Sequence, residues 1–442
     1  MWKRLSLLRS FMVKRSSGIN TTSTTNMKPD YSSWSREDLV ARITELEKSL
    51  LVTPDALPKV KKLKKAFDWS KQNMRFVAFR FAYLGWNYNG LAFQLEPTPL
   101  PTVEEVFLKV LAKVKLIKEP IEDVEFSRCG RTDKGVSAMN QVISIKVRSN
   151  LTEEDQANPE LDDKEIDYLS ILNANLPSDI KAHAVCLRPP EDFDARFSCI
   201  SRHYRYFFKK QDLDTDLMNR AANLYQGIHD FRNFCKLDGS KQITNFMREI
   251  YSSKIIHLHD GVYCFDLKGS AFLWHQVRCM VAILFTVGQG LERPEIVTEL
   301  MDTEKYPTKP VYEMANDIPL VLYDCEFPEM EWKAVSDEHK FQRTTQSFNK
   351  MEYDIQLKAQ MLEVMEEVLY GNRSKSDKLL RTMNIGDGIG RAFNQYVPLA
   401  KRDRMESYEI LNARWLEKKG DRWQQKREEK EQRKKKENDQ VE

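Results

Sequence analysis

Cysteine is sparse and scattered in this chain. The seven cysteines (Cys129, Cys186, Cys199, Cys235, Cys264, Cys279 and Cys325) form no C-x-x-C pair. The sequence therefore suggests neither a zinc site nor a disulfide framework, and no metal is expected. An odd number of unpaired cysteines fits a reducing compartment. No apolar run approaches the ~20 residues of a membrane span, so no membrane partner is expected. A strong charge of one sign is also missing, with 69 Lys and Arg against 66 Asp and Glu. Nucleic-acid binding would then need local basic patches rather than a global basic field.

Several familiar catalytic signatures are absent. There is no G-x-x-x-x-G-K-[ST] phosphate loop, and Gly288-Gln289-Gly290 lacks the third glycine of a dinucleotide fingerprint. No G-x-S-x-G elbow occurs. His257 and His259 alternate along a strand, which favours a hairpin surface over a zinc pair. What remains is a chain of 442 residues, 41% hydrophobic and 10% aromatic, enough for two or three domain-sized units with a real core.

The pattern divides into four parts. Residues 1–70 form a basic arm, a short helix and a Lys-rich linker. No acid precedes Asp30, while Lys3, Arg4, Arg9, Lys14, Arg15 and Lys28 do. The arm is either a mitochondrial presequence or a disordered basic segment. Ser35 to Asp38 caps a helix carrying Leu39, Ile43, Leu46 and Leu50, which Pro54 and Pro58 end. The run Lys59 to Lys65 is a solvated linker, a phosphate-tracking patch or a nuclear signal.

Residues 71–190 and 191–330 alternate strands and helices in similar order. Val77, Phe79, Phe81 and Tyr83 alternate as a strand. Thr102 to Glu105 is a capping box opening a helix. Strands are expected at 141–147, 180–187, 203–209, 249–257, 262–267 and 319–326. Asp260-Gly261 marks a hairpin. Helices are expected near 166–174, around Leu217 to Leu224, over Trp274 to Thr286 and from Pro294 to Met301. This order implies an α+β architecture. Residues 331–442 form a polar extension with a helix near 353–369, a glycine turn at Gly386-Asp387-Gly388 and a charged tail.

One loop stands out, Phe126 to Ala138, where Arg128, Arg131 and Lys134 surround Asp133 between Gly130 and Gly135. The cations favour an ionised carboxylate. Asp133 is then either a nucleophile or a structural ion-pair partner. Cys129 reads as a small buried residue. Two other stretches invite pairing with this loop. Phe193 to Tyr206 interleaves Arg196, Arg202 and Arg205 with Tyr204 and Tyr206, a pattern that suits an extruded base and its phosphates or a half-buried aromatic strand. Gly269 to Val281 places Arg278 in an apolar helix. It is either a snorkelling surface residue or a buried one that needs a carboxylate, for which Asp133 is the natural candidate.

Together these stretches resemble the TruA-type tRNA pseudouridine synthases. The family motif G-R-T-D-x-G-V-x-A stands at residues 130–138. A-R-F-S…Y-x-Y matches Ala195 to Ser198, Tyr204 and Tyr206, and F-L-x-H-x-V-R matches Phe272 to Arg278. Smaller matches are Leu172-Asn173 through Ile180 and Gly227 to Phe231. The resemblance covers roughly residues 75 to 328. The lead-in Ser127 to Gly130 and the block Asn233 to Asp238 resemble a eukaryotic branch, with fungal members, that acts at tRNA positions 38 and 39. Bacterial members usually carry His where Ser137 stands.

The resemblance implies a fold, an activity and a site. The fold is the pseudouridine synthase core, a mainly antiparallel sheet in two similar halves with flanking helices and a central RNA-binding cleft. The activity is isomerisation of uridine to pseudouridine in tRNA, without a cofactor. Asp133 would be the nucleophile, Arg278 would hold it ionised and oriented, and Tyr204 would stack on the flipped uracil, with Tyr206 as the fallback. Arg131 would help flip the nucleotide. Arg128, Lys134, Arg196, Arg202 and Arg205 are candidates for the RNA groove. A homodimer is a further expectation, as is a nuclear and cytoplasmic location with a mitochondrial pool from the basic N-terminus. The alternatives are other target positions in tRNA, or a non-catalytic tRNA-binding protein on the same scaffold.

Overall fold

The computed structural model describes residues 34–51, 67–94, 96–119, 124–335, 337–371 and 381–419. The basic arm at 1–28, the prolines at 54 and 58, the basic run at 59–65 and the tail beyond 419 lie outside the described residues. Two units are distinguished, residues 1–67 and 68–442. In the first, α1 (Arg36–Leu51) begins as expected, with the Ser35 hydroxyl accepting from the Asp38 amide and donating to its carboxylate.

The second unit is built on one ten-stranded sheet. In chain order its elements are β1 (Asn73–Tyr83), α2 (Val103–Lys113), β2 (Ser127–Arg128), β3 (Ser137–Ser149), α3 (Tyr168–Asn175), β4 (Ile180–Cys186), β5 (Ser201–Lys209), α4 (Thr215–Asn223), β6 (Gly227–Asp230), β7 (Met247–His259), β8 (Val262–Gly269), α5 (Gln276–Gly288), α6 (Ile296–Met301), β9 (Leu320–Glu326), β10 (Lys333–Ala334) and α7 (Glu338–Tyr370). A separate small hairpin follows, β11 (Thr382–Met383) with β12 (Arg391–Ala392). The sheet order is β10-β4-β1-β3-β9-β5-β8-β7-β6, and β2 pairs with β3. Every strand pair is antiparallel except β3 with β9, where Ser137 and Ala138 align with Val321 and Leu322. The sheet is therefore continuous, with its one parallel pairing at the seam.

Local chemistry explains these elements. The Thr102 hydroxyl accepts from the Glu105 amide and starts α2. Phe107 of α2 then packs on Phe81 of β1, ring centroids 4.9 Å apart. In the β7–β8 hairpin Asp260 and Gly261 both take positive φ, 44° and 71°, as a two-residue turn with the twist of the strands requires. All thirteen residues of α5 are buried, so a helix without a polar face marks the centre of the second half.

The C-terminal extension differs from its sequence reading. Its helix is longer than the expected 353–369, because the polar residues from Glu338 onward continue the same helix after a cap from Asp337. Residues 381–419 also fold back onto the second half. Ile385 and Leu399 are buried, Tyr408 packs on Phe246, and Arg404 bridges to Pro310. The glycine turn has a defined purpose. Gly386 has φ of +76°, and a Cβ there would meet the Tyr206 hydroxyl at 2.1 Å.

Candidate active site

Asp133 lies between β2 and β3, on a loop held mostly by backbone contacts. The Leu91 amide donates to Thr132 O, and the Tyr83 hydroxyl is 2.7 Å from Thr132 Oγ1. A Cβ at Gly90 would meet Thr132 O at 2.8 Å, and one at Gly85 would meet Val136 O at 2.1 Å. Both glycines are needed for the 84–93 loop to lie this close. Ser137 is part of the same brace, its hydroxyl accepting from the Gly85 amide at 2.9 Å. Gly135 has φ of +81°, and its open side faces the Asp317 carboxylate.

The carboxylate of Asp133 meets the N-terminal end of α5. Trp274 Nε1 donates to Oδ1 at 3.2 Å, and His275 Nε2 is 3.3 Å from Oδ2. The end of a helix where amides are unpaired favours an anion. His275 is held in the left-handed region at φ 60°, and its Nδ1 is buried without a partner. Burial, assisted by Arg278, Lys236 and Lys309, lowers the imidazole pKa to about 4. It is therefore neutral near pH 7, with its Nε2 lying beside Oδ2.

Arg278 is buried as expected, but its direct partner is different. Its Nε donates to Ala315 O at 2.7 Å, and Nη1 is 3.8 Å from Asp317. It does not pair with Asp133; it stabilises that carboxylate through space, together with Lys236. The reading of Asp133 as simply ionised by its loop also needs correction. Burial raises its pKa, and the Trp274 hydrogen bond and Arg278 oppose that rise. Trp274, His275, Lys236 and Asp317 were all missed in the sequence. The match to F-L-x-H-x-V-R contained a histidine and was the available signal.

Tyr204 is half-buried on β5, its ring edge-on to Phe272 at 5.0 Å. Burial pushes its hydroxyl pKa up, so the phenol remains protonated and offers a ring face and an O–H. Tyr206 is a correction. It is fully buried against Phe285 under Gly386, so it neither replaces Tyr204 nor reaches RNA.

The cations separate into two groups. Arg131, Lys134 and Arg196 are exposed, and Arg196 stacks on Phe197, which is 80% exposed. The other three are engaged in the protein. Arg128 is ion-paired to buried Glu104. Arg202 donates to Ser270 O, Cys129 O and Arg196 O at 3.0–3.1 Å. Arg205 points to the face opposite Tyr204, where it pairs with Asp266 and lies over Tyr323. These three are corrected from groove contacts to structural cations.

The sequence pattern of the tRNA pseudouridine synthase family matches residues 221–328. Over 412 residues the chain is 53% identical to a tRNA pseudouridine(38/39) synthase of Saccharomyces cerevisiae, covering 88% of this chain and 93% of that one. It is 46% identical over 289 residues to the mouse (Mus musculus) protein of the same description, covering 61% and 59%. A tRNA pseudouridine synthase A of Methanococcoides burtonii is 33% identical over 259 residues, covering 58% and 84%.

Proposed function

The chain belongs to the family of TruA-type tRNA pseudouridine synthases, and on that premise we propose that Asp133, Tyr204 and Arg278 carry its reaction. The activity is that of a tRNA pseudouridine(38/39) synthase, conversion of uridine to pseudouridine. The N1–C1′ bond breaks, a C5–C1′ bond forms, and the C5 proton is lost while N1 gains one. The observation that carries the site reading is a single carboxylate, partly desolvated, with the Trp274 donor on one oxygen and the His275 imidazole beside the other.

Asp133 is the nucleophile, attacking the uracil at C6 or acting at the ribose. Both routes need the same arrangement, a fixed carboxylate and a base held outside its helix. Tyr204 gives that base a ring to stack on. Arg131, exposed two residues before Asp133, occupies the space the base leaves; extrusion costs a few kcal/mol. Lys134 and Arg196 take phosphates. Trp274 holds one carboxylate oxygen and His275 packs beside the other, which keeps Asp133 oriented for reaction.

The test is tritium release from tRNA labelled at uracil C5. Wild type should release it from positions 38 and 39, and Asp133→Ala should lose at least ~10⁴-fold in rate. Equal release from both proteins would overturn the assignment of Asp133. Absence of release from either would sink the enzymatic reading in favour of a tRNA-binding protein.

We further propose a homodimer; it is supported by α7, whose Met361, Leu362, Met365, Val368 and Leu369 are exposed at helical spacing. A second copy would cover them, and Met365→Glu should halve the mass in sedimentation. The location is nuclear and cytoplasmic with a mitochondrial pool, and a reporter fused to residues 1–30 tests the latter.

A further inference from the structure

Three cysteines far apart in sequence meet beside the nucleophile loop. Cys129 leads that loop, Cys199 precedes β5, and Cys325 is on β9 beside Arg202. Their sulfurs all lie within 4.8 Å of one another, and none is more than 9% exposed. We propose that Cys129, Cys199 and Cys325 form a buried three-thiolate site for one soft d10 cation, Zn²⁺ or Cu⁺.

The donor set decides the class of ion. It contains sulfur alone, with no histidine or carboxylate atom in the group. Thiolates select zinc and monovalent copper over magnesium, calcium or manganese. Metal–sulfur bonds of ~2.3 Å place three sulfurs roughly 4 Å apart around a trigonal ion, and the observed separations need little closure. The surplus negative charge of three thiolates has a partner. Arg202 lies against this group, its Nη2 donating to Cys129 O. The three cysteines come from three segments, so a bound ion would tie the loop of Asp133 to β5 and β9. None of the three is used in the pseudouridine chemistry, and the site stands whether or not Asp133 is the nucleophile.

The experiment uses full-length protein stripped with chelator and kept anaerobic. One arm is titrated with Zn²⁺ and the other with Cu⁺, and X-ray absorption reads the ligands. One equivalent should bind through three sulfurs, at about 2.3 Å for zinc. Cys199→Ser and Cys325→Ser should each weaken binding at least ~10-fold, a loss of about 1.4 kcal/mol. Cys264→Ser, at an equally buried cysteine on β8, should leave it unchanged. Melting curves in chelator show whether each variant is folded. If the serine variants unfold, alkylation of Cys199 in wild type decides, because the metal must slow it. Binding of neither ion, equal loss in the Cys264 control, or metal-insensitive alkylation overturns the proposal. So does a Cys129–Cys199 disulfide in protein handled without reductant.

Discussion

Both halves of the sheet have an apolar core, and they differ in how they bury their ion pairs. The first half, β10-β4-β1-β3, carries ions in its interior. Arg75 and Glu165 pair at 2.9 Å with both side chains 2% exposed. Glu104 pairs with Arg128, and Asp162 accepts from Arg188 and Lys333. The second half, β9-β5-β8-β7-β6, packs aromatic and aliphatic side chains around α5, with Tyr206, Phe208, Tyr225, Phe265 and Phe285 all buried, and its ion pairs, Arg205 with Asp266 and Arg278 with Asp317, keep one partner partly exposed. The first half supplies one reactive carboxylate on a braced loop. The second supplies the side chains that touch it, Trp274 and His275, and the stacking ring of Tyr204. Ion pairs fix direction, and dense packing excludes water, so each half has the chemistry its contribution needs.

The largest effect expected from this contrast is on stability. Glu165→Ala leaves Arg75 buried and unpaired, and should cost about 3–5 kcal/mol in denaturant unfolding. At temperatures where the variant is folded, kcat should be unchanged, because the pair is remote from Asp133. A lost kcat with unchanged stability would break the division between the halves. Next in size is the stacking ring. Tyr204→Leu should lower kcat/KM by about 10–100-fold, equivalent to ~1–3 kcal/mol of base stacking, while Tyr204→Phe should retain most activity. Tyr206→Phe should retain full activity and stability, because it removes a buried hydroxyl that has no partner. If Tyr206→Phe alone were inactive, the order of the two tyrosines would have to be reversed.

A smaller effect concerns pH. The reaction requires the Asp133 carboxylate, whose pKa burial raises above 3.8. Activity is therefore lost as pH falls through a value above that of an ordinary aspartate, and the acid limb of the kcat profile should show it. The Trp274 donor favours the anion, so Trp274→Phe should move that limb to still higher pH. A limb that does not move would remove Trp274 from the site. The smallest effect separates free cations from engaged ones. Lys134→Ala should lower the salt slope of tRNA binding by about 1, and Arg205→Ala should leave it unchanged because Arg205 faces Asp266.

Much of this was legible from the sequence, for identifiable reasons. Alternation along Val77 to Tyr83, the Thr102 cap and the Asp260-Gly261 turn are local signals, and each produced the expected element. Asp133 was marked by its own loop. The position of Arg205 was also readable, since neighbours on a strand point to opposite faces and Tyr204 fixes the parity. The partners of Asp133 were not readable. Trp274 is 141 residues away, and only tertiary structure brings it near. Glu104 was legible as part of a helix start, but nothing local showed that it turns inward to Arg128. The meeting of Cys129, Cys199 and Cys325 is invisible for the same reason: spacing rules detect metal sites only when ligands are close in sequence.

The parallel seam has a consequence for the growing chain. Asn140 on β3 donates to Tyr323 on β9, 183 residues later, and β3 and β9 pair at the position where the Asp133 loop ends. Long-range pairings of this kind form late, because distant segments must first be brought together. During synthesis the nucleophile loop is made well before α5, β5 and β9 exist to surround it. An N-terminal fragment that folds on its own would present Asp133 without Trp274, His275 or Tyr204. Isomerase activity should therefore appear only once β9 has left the ribosome, so a truncated chain would be inert toward tRNA.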